Sequence, residues 1–501
     1  MTTTETSQTD APELVKAEAR RRRAFRLAVS SLPLWIVAIL AVWLSWSYAA
    51  DHRLQVEIER IRAKGEPLFP QDFPPPTSIP DEENAAVVYK QALAALDRVG
   101  GTRLSFKDFI SDTRFSALYP DDARLIVEAN ARSLALLRQA RDLPGLDWGI
   151  RFPSPMINVD HTALVEQREL ARLGSCAAVA LHRSGKQSEA IEILRDVLIL
   201  AGRLGDEPST SPMSQLSSRS LEIGTSRAIE VTAPTLQVGG TTMDGPKPEQ
   251  PAGRQQISDL IRLLLDEEPL RRGLHRSFLT ERAGELDEIN QCFLNAQSNG
   301  SGVVPGLGVV RPASPPGHVL HPLFTMEAAR TLRYLSLRAR ACHALDWTHA
   351  RQILAEVDIP EPCNLIDAIA RPFSHILPPG LDSILKQQYR ALALRRMAAM
   401  ALAIRLYQLD HGQRPESLSD LVPRYLEALP PDPFAADGRT LGYQPNAVRP
   451  ILFSVGEDGR DDGGKYVIDI DGYVDDEKLD MPFFLNGDRP LPPPKLEESG
   501  S

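Results

Sequence analysis

The sequence predicts a mainly α-helical protein with a single transmembrane helix near its N-terminus and a small α+β module near its C-terminus. Three observations carry this reading. Residues 27–50 contain no charged side chain and abut Arg20, Arg21, Arg22, Arg23 and Arg26. Apolar residues recur at helical spacing through most of the remaining chain. Strand-like runs are confined to the stretch from Leu441 onward.

As a helix, the charge-free run would extend about 36 Å at ~1.5 Å per residue, enough to cross a ~30 Å hydrocarbon core. Its N-terminal flank carries the arginines, whereas Asp51, His52 and Arg53 follow it. The positive-inside rule therefore makes residues 1–26 a basic cytoplasmic tail, with the bulk of the chain beyond the inner (cytoplasmic) membrane. Trp43, Trp46 and Tyr48 gather at the outer end, where amphipathic rings favour the headgroup region. Pro33, near the inner end, is placed to kink the entry. A cleaved signal peptide is the rival reading. The run is long for one, and Trp46 and Tyr48 crowd the small residues Ser47 and Ala49 at the cut.

Over 501 residues, 43% apolar and 24% charged content is that of ordinary globular protein, with room for two or three domains. A net charge of -10 argues against a nucleic-acid partner, which requires a basic face. Cys176, Cys292, Cys342 and Cys363 show no zinc spacing. An even count permits disulfides outside the cytoplasm, Cys342 with Cys363 closing the shortest loop between neighbours; four buried thiols are the alternative.

Residues 51–80 read as a short polar helix over 54–64 and then a stalk extended by Pro67, Pro70, Pro74, Pro75, Pro76 and Pro80. Residues 81–380 read as a helical ectodomain. Asp81 caps a helix through Ala85, Tyr89, Ala92, Leu93 and Leu96, stopped at Gly100-Gly101. A second runs from Pro120-Asp121 to Pro144-Gly145, and a hairpin covers residues 163–204, broken at Ser184-Gly185-Lys186. Loops are expected near 232–252 and 298–322, with helices over 256–295 and 325–357. The module at 381–487 begins with a long helix over 381–409, followed by strands at 441–444, 451–455 and 466–470. Residues 488–501, with Pro490, Pro492, Pro493 and Pro494, read as a disordered tail.

The chain has no phosphate-binding G-x-x-x-x-G-K-[ST], and Gly306-Leu307-Gly308 lacks the third glycine of a dinucleotide site. It has no G-x-S-x-G, and Gly300-Ser301-Gly302 reads as a flexible turn. On one helix, His343 and His349 would point about 240° apart and could not share an ion with Asp346. Asp81, Glu82 and Glu83 suit the first turn of a helix, where the macrodipole favours negative charge. No catalytic residue is assigned.

Two stretches resemble known families. Gly185, Ala190, Ile191 and Leu194 resemble the turn and second helix of a tetratricopeptide repeat, over about one repeat. More specific is the series Ala401-Leu402, Tyr407, Asp410, Gly412 and Pro415, then Leu429-Pro430-Pro431-Asp432-Pro433-Phe434, then Phe453-Ser454-Val455-Gly456-Glu457-Asp458-Gly459. It resembles the globular domain of the major pseudopilin of bacterial type II secretion, over roughly residues 395–472. The resemblance implies that fold, and a calcium ion in the acidic loop. Asp458, Asp461 and Asp462, set among Gly459, Gly463 and Gly464, independently supply hard oxygens on a pliant backbone. Asp469-Ile470-Asp471-Gly472 has its glycine at position four and fails as an EF-hand loop. Arg395, Arg396 and Arg405 on the corresponding helix mean that the resemblance implies a fold and not a filament. The stretch from Pro80 to Ala86 also resembles the start of uncharacterised bacterial membrane-anchored proteins.

The expectation is a membrane-tethered extracytoplasmic scaffold or partner-binding protein with a partner in the cell envelope. The alternative is an envelope hydrolase with scattered catalytic groups, which requires a deep acidic or histidine-lined pocket between helices.

Overall fold

A computed structural model describes residues 11–73, 79–150, 162–206, 212–239, 248–289, 316–357, 381–470 and 472–490. The first helix, α1 (Ala11–Ala63), runs through Pro33 and contains the charge-free run. Its segment Ser31–Ala63 is, among the described residues, the one helix long and apolar enough to cross a membrane. Leu34, Trp35, Val37, Ile39, Val42 and Tyr48 are all exposed on it. The sequence separates the span from a short polar helix, but here the two are one. The expected stalk also begins docked. Leu68 and Pro70 are buried, and Arg282 holds this stretch through Glu66 Oε2 at 2.6 Å and the Pro67 carbonyl at 3.1 Å. Pro74, Pro75 and Pro76 lie outside the described residues.

The body is built from packed helices. A first group comprises α2 (Ala85–Ala94), α3 (Phe106–Ser111), α4 (Phe115–Leu118), α5 (Pro120–Ala129) and α6 (Ala131–Asp142). Then come α7 (Thr162–Arg183) and α8 (Gln187–Asp206), turned at Gly185, whose φ of +85° suits a residue without Cβ. The hairpin and its break match the sequence reading. Next are α9 (Pro212–Thr232), α10 (Arg254–Leu265), α11 (Glu268–Ile289), α12 (Pro316–Ala341), α13 (Trp347–Leu354) and α14 (Leu381–His411).

Helix α14 packs on α9 and α10 and is buried along nearly its whole length, including Arg395, Arg396 and Arg405. Each arginine finds partners on a neighbouring element. Arg395 pairs with buried Glu222 and donates to the carbonyls of Leu263, Leu264 and Asp266 at the C-terminal end of α10. Such cations suit a helix C-terminus, where carbonyls are left without intrahelical donors. Arg396 forks onto Glu267 at 2.6 and 2.7 Å, and Arg405 donates to the Leu236 carbonyl at 2.8 Å.

Beyond α14 lie β1 (Gly442–Gln444), β2 (Ile451–Ser454), β3 (Tyr466–Ile468), β4 (Val474–Leu479) and β5 (Met481–Phe484). An antiparallel sheet has the order β1-β2-β5, and β3 and β4 form a separate antiparallel pair. In the first register Gly442 lies opposite Phe453, whose ring occupies the space a Cβ would need. The sheet is tied to α9: the Phe484 amide donates to Glu230 Oε1 at 2.6 Å, and Arg227 binds Asp476 at 2.7 Å. One hydrophobic core runs from Ala85 to Leu485, so the boundary expected at residue 381 is not a break in packing.

Several local readings differ. Asn84, not Asp81, caps α2: its Oδ1 accepts from the Ala86 amide at 3.0 Å. Helices α3, α4 and α9 and strands β4 and β5 lie where the sequence predicts no element. The helix expected over 256–295 is divided at Asp266-Glu267, and that over 325–357 ends at Ala341 and resumes at Trp347.

Candidate functional site

The residues that the sequence singles out do not assemble. Asp458 Oδ1 accepts from the Arg460 amide at 3.0 Å, and Asp461 pairs with Arg439 at 3.1 Å while also receiving the Gly463 amide. The Asp462 amide turns to Asp480, 3.3 Å away. Among the described residues no group of three or more His, Cys, Asp or Glu side chains is placed to hold a metal ion. Asp458 and Asp461 spend oxygens on separate turn amides and a cation, Asp462 Oδ2 is buried without a hydrogen-bond partner among the described residues, and the three carboxylates expected to hold calcium are not gathered into one ligand set.

His343 and His349 do not share a helix, since α12 ends before the first. Asp346 caps α13, accepting the His349 amide at 2.9 Å and contacting His349 Nδ1 at 2.6 Å. His343 instead meets His275 edge to face, with ring centroids 4.8 Å apart, and burial followed by the His275 charge lowers its pKa. Cys176 and Cys342 are buried free thiols, and burial pushes the Cys176 thiol up to about 12, which leaves it unreactive. Cys292, Cys363 and the two glycine-rich motifs near residues 300 and 306 lie outside the described residues.

What the sequence does not disclose is a groove. Helices α5 and α6 face the turn between α7 and α8 across a cavity of about 620 Å³. Val127, Leu134, Leu181 and Ile193 form its apolar floor, with Ala131, Ala135 and Ala180 beside them. Its walls carry Asp121, Glu128, Glu189 and Glu249 against Arg124, Arg138, Arg183 and Lys186, four charges of each sign. These positions come from four helices and two connecting segments, so no linear motif announces them.

Each wall is held from behind. Arg138 binds Asp196 Oδ2 at 3.1 Å, and Arg141 bridges Asp196 at 2.8 Å and Glu192 at 2.7 Å. The Asp196 side chain is fully buried, and burial raises its pKa to about 6 against the opposing pull of Arg138 and Arg141. At the other end the Gln250 carbonyl accepts from the Gln187 and Ser188 amides at 2.8 and 3.0 Å, and the Gln250 amide donates to the Gly185 carbonyl at 3.0 Å. These bonds strap the segment bearing Glu249 over the helical turn. The result is an apolar trough whose lining carries charges of both signs, built on packed helices. It can bury apolar side chains and pair with a backbone or side chains of either charge. Its lining contains no histidine, and its four carboxylates are matched by four cations. No protein family, curated protein or solved structure matches the chain.

Proposed function

We propose that the protein is a membrane-tethered binding protein that presents the groove to a peptide segment of an envelope partner. The observation that carries this is the groove itself: an apolar floor within balanced charged walls suits a segment that has apolar side chains flanked by both charges. The exposed apolar face of α1 supports anchoring by one helix. The arginines before the span support a cytoplasmic N-terminus, with the groove and the rest of the body on the far side of the inner membrane. The hydrolase alternative calls for an acidic or histidine-lined pocket, and the groove is neither. In the same reading the C-terminal sheet and α14 form a pseudopilin-like module with a structural role, because its motif residues are committed to internal contacts.

The test is crosslinking in intact cells followed by purification of the full-length chain. A partner recovered reproducibly with the natural chain should be lost with Ala135→Trp, which fills the groove from an exposed position, while the melting temperature stays unchanged. Recovery indifferent to Ala135→Trp would remove the groove from the function.

A further inference from the structure

The first helix is not equally bare all round its apolar segment. Most of residues 32–49 are exposed, but Trp43 and Ser47 are half-covered, Ala50 is fully buried, and Leu54 and Ile61 are buried after them. The steps between these residues are four, three, four and seven, so they lie along one helical stripe. Its later part packs on Leu286 of α11 and on Ala328, Ala329 and Leu332 of α12. One neighbour therefore follows α1 downward, past its charged end and along the outer part of the span.

The register identifies that neighbour. Arg53 reaches Met326, and Arg282 joins Glu66 to Ser336 through bonds of 2.6 and 2.9 Å. Numbers rise together, so α1 and α12 run in the same direction, with Met326 level with Arg53. Ten further residues of α12 precede Met326. At ~1.5 Å each they extend about 15 Å, to the level of Trp43. That is where the covered stripe on α1 begins. Burial on α1 and register along α12 thus place the end of the second helix at the same level.

The chemistry of this part of α12 fits such a position. Residues 316–326 contain no Asp, Glu, Lys or Arg, and the first charged side chain is Glu327. Pro316 starts the helix and has no backbone N–H to leave unpaired in an apolar medium. We infer that residues 316–326 of α12 enter the outer leaflet beside α1, so that the body is held to the lipid by two helices. This rests on the reading of α1 as a membrane span.

The test uses the full chain reconstituted in phosphatidylethanolamine and phosphatidylglycerol vesicles, with photoreactive benzoyl-phenylalanine replacing one residue at a time. Ile39 reports the span, positions 320 and 323 report α12, and the exposed Leu345 and Val448 report the body. Lipid adducts at 39, at 320 and at 323, with none at 345 or 448, are expected. Two α12 positions guard against one substitution failing to fold. Adducts at 39 alone would overturn the inference and leave the span intact. An absence of adducts at 39 would overturn the span, and the inference with it.

Discussion

The Ser454 hydroxyl donates to Asp432 Oδ1 at 2.6 Å, joining the Pro431-Asp432-Pro433-Phe434 turn to the strand β2 that precedes Gly456. The same carboxylate accepts the Phe434 amide at 3.0 Å and the Val455 amide at 2.8 Å, all in a buried setting. Two motifs far apart in sequence are thus one hydrogen-bonded lock. Removing the acceptor leaves three buried donors, each costing about 1–3 kcal/mol when unsatisfied. Asp432→Ala should lower stability by about 3 kcal/mol or more and Ser454→Ala by about 1 kcal/mol, measured as urea midpoints of the full chain. Equal effects would mean that Asp432 does not organise this turn.

Arg395 and Glu222 form an ion pair with both side chains buried. Breaking one partner strands a charge in a low-dielectric interior, at about 3–5 kcal/mol, whereas replacing both with apolar groups of similar size costs much less. Arg395→Met should therefore be severe, and Arg395→Met with Glu222→Leu milder than the sum. A double-mutant cycle with strictly additive losses would contradict the pairing.

Helices α8 and α11 touch backbone to backbone, because a Cβ on Gly273 would lie 2.0 Å from the Gly205 carbonyl oxygen. Gly273→Ala must push the helices apart and should sharply reduce the yield of folded chain. Gly224, on α9 with nothing within 4 Å of its Cβ position, is the control. There alanine should stabilise by about 0.5–1 kcal/mol through helix propensity. Circular dichroism melts of both variants separate close approach from a general sensitivity to substitution.

Asp480 is fully buried and accepts the Gly464 amide at 2.6 Å and the Asp462 amide at 3.3 Å. Burial raises its pKa from 3.8 to about 6, with Asp461 and Asp462 adding to the rise against those two bonds. The folded chain therefore holds a proton there that the unfolded chain releases. Stability from this group is full below pH 3.8, falls as pH rises toward about 6, and is flat above. Subtracting the pH profile of Asp480→Asn from that of the natural chain should isolate a decline within that window. A difference that is level with pH would show Asp480 ionised as in the unfolded chain.

Legibility in the sequence followed periodicity and punctuation. The α7–α8 hairpin and α14 were readable because their apolar spacing and their breaks at Gly185 and Gly412 are local signals. Strand β4, with Asp475, Asp476, Glu477 and Lys478, has no apolar alternation, since Asp476 and Glu477 pair with Arg227, Arg390 and Arg489 from elsewhere in the fold. Helix α9 places Gln215, Ser218, Arg219, Glu222, Thr225 and Ser226 on buried surface, so its inward face reads as polar. The groove was hidden for a related reason. Ala135 and Arg138 on α6, Ala180 and Arg183 on α7, and Glu249 beyond α8 meet only through folding.

The arginines of α14 bear on inheritance as well as on packing. Arg395 reaches back to Glu222 and to carbonyls at residues 263–266, Arg396 to Glu267 and Arg405 to Leu236. A gene segment starting at Leu381 would encode Arg395 and Arg396 without their carboxylates and Arg405 without the Leu236 carbonyl, leaving the Pro431 carbonyl and Gln408 as partners, on a helix with its walls removed. The C-terminal stretch is therefore not a cassette that recombination could move intact. If it descends from a free-standing domain, that ancestor had to acquire these arginines together with the helices that now surround them.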